Sequence, residues 1–205
     1  MVNIPKRRIG LTGGIGTGKT TVSNYLVRAY HLPVLDADIY ARDAVQAGSP
    51  ILTDIFNRYG NKVKLADGSL DRSALGEIIF NNPEEKLWLE SKIHPYVRDR
   101  FTDTLQQINV DTVVLAIPLL FEAKMTDLVT EIWVVSCDRQ EQIRRLIERG
   151  AAALAARDRL TEAQARARIE SQLPLKEKVA MADVVLNNDS TVEKLLRQVD
   201  VALTM

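Results

Sequence analysis

Eight consecutive residues, Gly13-Gly14-Ile15-Gly16-Thr17-Gly18-Lys19-Thr20, fit the pattern G-x-x-x-x-G-K-[ST]. Glycines at these places let a loop wrap backbone N–H groups around phosphate oxygens, and a helix starting behind the loop adds the positive end of its dipole. Lys19 has the reach and charge for the β- and γ-phosphates of a nucleoside triphosphate. Thr20 offers a hydroxyl to Mg²⁺, a hard cation that takes oxygen ligands. Further along stand two carboxylates, in Asp36-Ala37-Asp38. Residues two apart on an extended chain point to the same side, and ligands collect at the carboxyl ends of strands in open α/β sheets. Either aspartate suits orienting or deprotonating an acceptor hydroxyl, or holding Mg²⁺ through water. Either also suits capping a helix, and the two roles are compatible.

A third feature is cationic. From Arg139 to Arg168 the chain has eight arginines, no lysine and four acids, a local charge of +4. Arginine alone favours planar, bidentate phosphate contact, and phosphoryl transfer needs cations where charge spreads over the moving group. Arg145, one or two turns into a helix predicted after the fourth strand, is expected to face back toward the phosphate loop. The Ala-rich stretch Ala151–Ala156 beside these arginines predicts a mobile lid that excludes water. His94, before Pro95, suits either substrate contact or helix capping. Trp88 and Trp133 read as core, His31 as surface, and Cys137 as a small buried residue.

These groups need a scaffold, and the hydrophobic pattern supplies one. Arg8–Thr12, Pro33–Leu35, Thr112–Ile117, Glu131–Ser136 and Asp183–Leu186 read as five strands. Val113-Val114-Leu115-Ala116-Ile117 is apolar without alternation, as burial on both faces of a parallel sheet requires. Helices are expected from about Lys19 to Ala29 and from about Asp138 to Glu148. The expectation is a doubly wound α/β core of the P-loop NTPase type, with a five-stranded parallel sheet. About 75 residues separate the second and third strands, with turn signals at Gly48-Ser49-Pro50, Asp67-Gly68 and Asn81-Asn82-Pro83. They imply a helical insertion. The core is then expected at 1–40, 106–148 and 179–205, a helical substrate-binding insertion at 41–105, and a helical lid at 149–178.

Composition narrows the function. Lys plus Arg number 27 and Asp plus Glu 27, so the net charge is zero, which argues against a polybasic mode of nucleic-acid binding. The longest apolar run, Val113–Phe121, has nine residues, whereas a spanning helix needs roughly 20. Lys6, Arg7 and Arg8 precede glycines rather than a long apolar segment, so no export signal is expected. Cys137 is the only cysteine, which excludes an internal disulfide. A soluble, cytoplasmic protein is expected, with no nucleic-acid or membrane partner, as a monomer or weak homo-oligomer. No Asp has Gly three residues later, and Asn61-Lys62-Val63-Lys64 lacks a guanine-reading Asp, so a signalling GTPase is disfavoured. A small-molecule kinase remains.

The combination resembles the dephospho-CoA kinase family along nearly the whole chain. The residues that carry it are Leu11–Thr20, then Asp36-Ala37-Asp38 with Ala41-Arg42, Asp67–Arg72 with Leu75 and Phe80, and His94-Pro95. Pro118-Leu119-Leu120-Phe121-Glu122, Arg168-Ile169 with Gln172, and Ala182–Val185 with Asn188 complete it. The resemblance implies ATP-dependent, Mg²⁺-requiring phosphorylation of the ribose 3′-hydroxyl of dephospho-CoA, the last step of coenzyme A synthesis. It assigns Asp38, Lys19 and Arg145 to catalysis. ATP falls to Gly13, Gly14, Ile15, Gly16, Thr17, Gly18, Lys19, Thr20, Thr21 and Asn188. The acceptor falls to Asp36, Arg42, His94 and Glu122, and the lid role to Arg149, Arg157 and Arg168. Thr20 is the metal-side residue. The sequence departs from the family at the Ala-rich stretch and at Ser190, near where a glycine is common. A kinase for another acceptor, or a module that binds ATP without transferring it, remains an alternative at this stage.

Overall fold

The structure, a computed structural model, describes residues 4–153 and 160–205. In chain order its elements are β1 (Arg7–Gly13), α1 (Lys19–Tyr30), β2 (Val34–Asp36), α2 (Ala37–Asp43), α3 (Pro50–Tyr59), α4 (Arg72–Asn81) and α5 (Pro83–Gln107). There follow β3 (Thr112–Ala116), β4 (Glu131–Ser136), α6 (Arg139–Ala153), α7 (Glu162–Glu170), α8 (Leu175–Ala180), β5 (Val184–Asn187) and α9 (Val192–Leu203). The chain divides into two compact units, one of residues through Leu35 together with Ile108–Met205, the other of Asp36–Gln107.

In the first unit the five strands form one sheet in the order β2-β3-β1-β4-β5. β1 runs parallel to β3, with Gly10 opposite Leu115, and parallel to β4, with Leu11 opposite Trp133. The chain therefore builds the sheet first on one side of β1 and then on the other, and the loop leaving β1 emerges at this switch point, where such sheets bind ligands. The inner strands β1 and β3 are buried along most of their length and β4 at its centre, whereas the edge strands β2 and β5 are partly exposed. Ile9, Leu11, Val114, Trp133 and Val135 pack with Val22 and Leu26 of α1 and Leu195 and Val199 of α9, all fully buried. Trp133 is core, as expected, with its indole N–H donated to Glu131 Oε2 at 3.0 Å.

The second unit is helical, and each turn signal in it has a local cause. Ser49 caps α3 by accepting from Ile51 N–H, and Pro50 opens the helix where a missing N–H costs nothing. Asp67 accepts from Ser69 N–H in the turn that Gly68 enters at φ 84°. Asn82 accepts from Glu84 N–H just before α5. The unit's core is Leu52, Ile55, Val63, Leu70, Leu75 and Leu89, with Trp88, Tyr59 and Tyr96 packed against it. Tyr40 meets Phe101 edge-to-face at 5.0 Å, joining α2 to α5.

Several expectations need correction. β2 ends at Asp36 and α2 begins at Ala37, so Asp36 and Asp38 do not lie on one extended segment. Asp36 caps α2 through its side chain, and Asp38 sits in the first helical turn. α6 continues beyond Glu148 through Ala153, because alanine is the strongest helix former. α7 stops at Glu170, so Gln172 lies past the helix and before Pro174, which cannot extend it.

Candidate active site

At Gly13, Gly16 and Gly18 the chain leaving β1 takes a backbone that favours glycine. At Gly13, φ is +143° and a Cβ would meet the Val135 carbonyl at 2.3 Å. At Gly18, φ is +105° and a Cβ would meet Asn188 Nδ2 at 2.3 Å. Gly18 is the N-cap of α1, and no side chain caps that helix. Its first turn therefore presents main-chain donors and the positive dipole end, a ready anion site. Lys19 Nζ donates to the carbonyls of Gly13 at 2.9 Å and Gly14 at 2.8 Å, lying along the loop. Thr17 is buried and ties the loop internally, its Oγ1 donating to the Gly14 carbonyl at 2.9 Å. Thr20 is exposed on the first turn.

Two residues from distant elements clamp this loop. Asn188, buried just past β5, donates from Nδ2 to the Thr17 carbonyl at 2.8 Å. Arg145 of α6 lies with its guanidinium 3.3 Å from the Thr17 carbonyl and 3.0 Å from that of Asn188. It does face the phosphate loop, as the sequence suggests. Glu141 fixes it from one helical turn away at 2.7 Å. The guanidinium of Arg144, aided by that of Arg145, holds the Glu141 carboxyl down at about 2, so this anchor stays charged. Beside the clamp opens a cavity of about 410 Å³, lined by Gly18, Thr21, Arg145, Glu148, Asn188, Ser190 and Val192. That volume suits a small organic ligand, and both apolar and polar groups face it.

Among the described side chains, the other arginines of this segment are dispersed rather than gathered around one site. Arg139 pairs with Glu170, Arg144 with the half-buried Glu141 and with Glu148, and Arg166 with Glu162; the pairs with Glu170, Glu148 and Glu162 are exposed. Glu141, Glu148 and Glu162 are already counted in the segment's +4, so these i,i+3 and i,i+4 pairs hold their arginines along the helices without lowering the net charge, which among these partners only Glu170, beyond the segment, offsets. Arg168 is exposed on α7. The Arg157 assignment lies outside the described residues, as does the Arg149 side chain.

Glu122 occupies an anchoring position. Its Oε1 pairs with Lys178 Nζ at 2.8 Å and accepts from Leu173 N–H at 3.0 Å, while its Oε2 is buried with no hydrogen-bond partner among the described residues. Lys178 is fully buried, and its Nζ also lies 3.2 Å from the Pro118 carbonyl. Sequence reasoning missed Lys178 and Gln142, because a lysine or glutamine in a polar helix carries no sign that a distant partner buries it. Burial pushes the Cys137 thiol up to about 11, so it is a neutral thiol at physiological pH. His31 is exposed and ends α1 in the left-handed region at φ 53°.

In the helical unit, Asp36 Oδ1 accepts from Asp38 N–H at 2.8 Å. Asp38 and Arg42 are exposed on α2, and His94 is half-buried within α5, one residue before the internal Pro95.

The sequence profile of the dephospho-CoA kinase family matches residues 7–194. The chain belongs to this family. Among curated proteins, the dephospho-CoA kinase of Trichormus variabilis is 61% identical over 198 residues, covering 97% of each chain. That of Synechocystis sp. is 56% identical over 195 residues, covering 95% of this chain and 93% of its own. A crystal structure of a Thermus thermophilus protein superposes with a TM-score of 0.80 at 33% identity, covering 98% of both chains. The membership agrees with the five-stranded P-loop core and makes the chain a kinase. The dephospho-CoA kinase profile spans every site residue named above.

Proposed function

We propose that this member of the dephospho-CoA kinase family transfers the terminal phosphoryl group of ATP to the ribose 3′-hydroxyl of dephospho-CoA, giving coenzyme A and ADP. The observation that carries the ATP half is the uncapped N-terminus of α1 behind a glycine-rich loop, with Lys19, Arg145 and Asn188 arranged around it. In this reading Gly13 to Thr21 wrap the triphosphate. Lys19 exchanges the carbonyls of Gly13 and Gly14 for β- and γ-phosphate oxygens. Arg145 steadies the loop and adds positive charge where the moving group develops its own. The base and ribose of ATP take the cavity beside Asn188 and Val192.

Asp38 handles the acceptor. Its carboxylate orients the 3′-hydroxyl and receives its proton as the O–P bond forms, and the β–γ bridging oxygen leaves on ADP. Because such transition states are loose, orientation carries more of the effect than early deprotonation. Asp36, Arg42, His94 and Glu122 take the acceptor-binding roles that the family resemblance assigns, and Arg149, Arg157 and Arg168 the lid roles.

Mg²⁺ fits the residues present. Among the described residues no cluster of three His, Cys, Asp or Glu side chains forms a cage, and Thr20, exposed at the helix start, offers a single hydroxyl. That donor set suits a cation that arrives with the triphosphate and keeps phosphate and water oxygens as ligands. When bound it neutralises phosphate charge, and Thr20 is the residue that would hold it. No described helix is long and apolar enough to cross a membrane. A cytoplasmic setting and action as a monomer or weak homo-oligomer complete the proposal.

The test is purified protein with ATP, Mg²⁺ and a panel of acceptors, with products identified by mass. Acceptor-dependent ADP release is expected to be fastest with dephospho-CoA, yielding coenzyme A. Faster release with another alcohol, or ADP formation indifferent to any acceptor, would sink it.

A further inference from the structure

Both main-chain polar groups of Ile15 are held by glutamine side chains. Gln172 Oε1 accepts from Ile15 N–H at 2.9 Å, and Gln142 Nε2 donates to the Ile15 carbonyl at 2.7 Å. A peptide N–H only donates and a carbonyl only accepts, so the partners fix which way each amide points. The Ile15 side chain packs against the cluster that Ile143 and Leu146 of α6 form with Ala165 of α7. Gln142 is buried on α6, and Gln172 follows the end of α7.

Gln172 is itself seated. Its neighbour Leu173 donates its N–H to Glu122 Oε1, the oxygen that Lys178 also holds. The Pro118 carbonyl accepts from Lys178 and, at 3.1 Å, from Thr12 Oγ1. A polar chain therefore leaves β1 at Thr12, runs through Pro118, Lys178, Glu122 and Leu173, and returns to the same loop at Ile15.

The loop needs such a restraint. Ile15 stands between Gly14 and Gly16, and glycines that permit the required backbone also permit many others. A phosphate site works best when its donors are fixed before the ligand arrives. We propose that Gln172 and Gln142 are positioning residues for phosphoryl transfer: they set the Ile15 main chain so that the loop from Gly16 onward meets the triphosphate, and Gln172 ties that setting to the α7–α8 segment. The proposal rests on the ATP reading of the loop.

The test compares Gln172→Leu, which removes the acceptor, with Gln172→Glu, which keeps a carbonyl-type oxygen at the same reach. In Gln172→Leu the KM for ATP is expected to rise about tenfold and Ile15 amide exchange to accelerate at least about tenfold, with the KM for dephospho-CoA within about twofold. In Gln172→Glu the slow exchange returns and the KM for ATP falls back to within about threefold of wild type. An unchanged KM for ATP in Gln172→Leu overturns the proposal. So does a parallel rise of both KM values with a lowered Tm, or a Glu variant no better than the Leu variant. Should Gln172→Leu not fold, the wild-type Ile15 amide decides: protection supports the tie, and exchange at the rate of an open loop refutes it. A wild-type enzyme whose rate does not saturate with ATP would instead defeat the ATP reading, and Ile15 exchange would still judge the tie.

Discussion

One helix of the sheet unit, α1, begins in the opposite way to the helices of the helical unit, and also to α7 and α9 of its own unit, which Thr161 and Thr191 cap. In the helical unit, α2, α3 and α4 are closed at their N-termini by the side chains of Asp36, Ser49 and Asp71. Each cap satisfies main-chain donors that would otherwise face solvent, and two of the three bring a negative charge that meets the helix dipole. α1 of the sheet unit has no such cap, and its N-cap is a left-handed glycine. Its donors are left for a ligand. The lesson is that a helix N-terminus becomes an anion site when the chain withholds a side-chain cap and supplies a rigid glycine loop instead. The rigidity comes from Asn188, Arg145, Gln142 and Gln172, all aimed at loop backbone.

Replacing cations and caps in the two units separates these roles. The largest effect is expected from Lys19→Ala, which removes the charge beside the open helix start. Turnover is expected to fall by about 10³-fold with little change in Tm, measured by steady-state ADP release. Retained turnover would mean that the loop works without its lysine. A smaller and purely structural effect is expected from Asp71→Ala. Its carboxylate accepts from Ser73 and Ala74 N–H at 3.0 Å each, and its loss is expected to cost about 1 kcal/mol in urea unfolding, with the KM for ATP unchanged. A changed KM for ATP would show that the capped helices take part in nucleotide binding.

The smallest effect is one of pH. The guanidinium of Arg58, together with the Tyr59 hydroxyl, holds the Glu85 carboxyl down at about 2 from its ordinary 4.5. A carboxyl depressed in the folded state stabilises above its ordinary range and loses that contribution as pH falls toward 2. The urea midpoints of wild type and Glu85→Gln are therefore expected to converge between pH 5 and pH 2, slightly, because this pair is solvent-exposed. A gap that widens on acidification would refute the pairing.

What the sequence reveals follows from the range of each interaction. The phosphate loop is legible because its pattern is contiguous and each glycine answers a local backbone demand. The strands are legible because burial on both faces leaves unbroken apolar runs, and β4 matches its expected span of Glu131–Ser136. Asp36 and Asp38 are visible as carboxylates, yet their local geometry is misread, since an extended run and a capped helix differ by one residue of strand length. Lys178 and Gln142 are least legible. Their partners lie far away in sequence, and nothing local marks a lysine that tertiary packing will bury. The arginine-rich segment is legible as a net charge, yet composition does not say which arginines neighbouring acids hold along a helix and which, like Arg145, reach the loop.

The division of labour between ATP binding by the sheet unit and acceptor chemistry by Asp38 is tested most directly by one variant, Asp38→Asn, in which MgATP affinity and turnover are measured together. The expected result is an unchanged Kd for MgATP with turnover toward dephospho-CoA lowered by about 10²- to 10⁴-fold. Turnover near that of the wild type, or loss of MgATP binding in step with turnover, would contradict it.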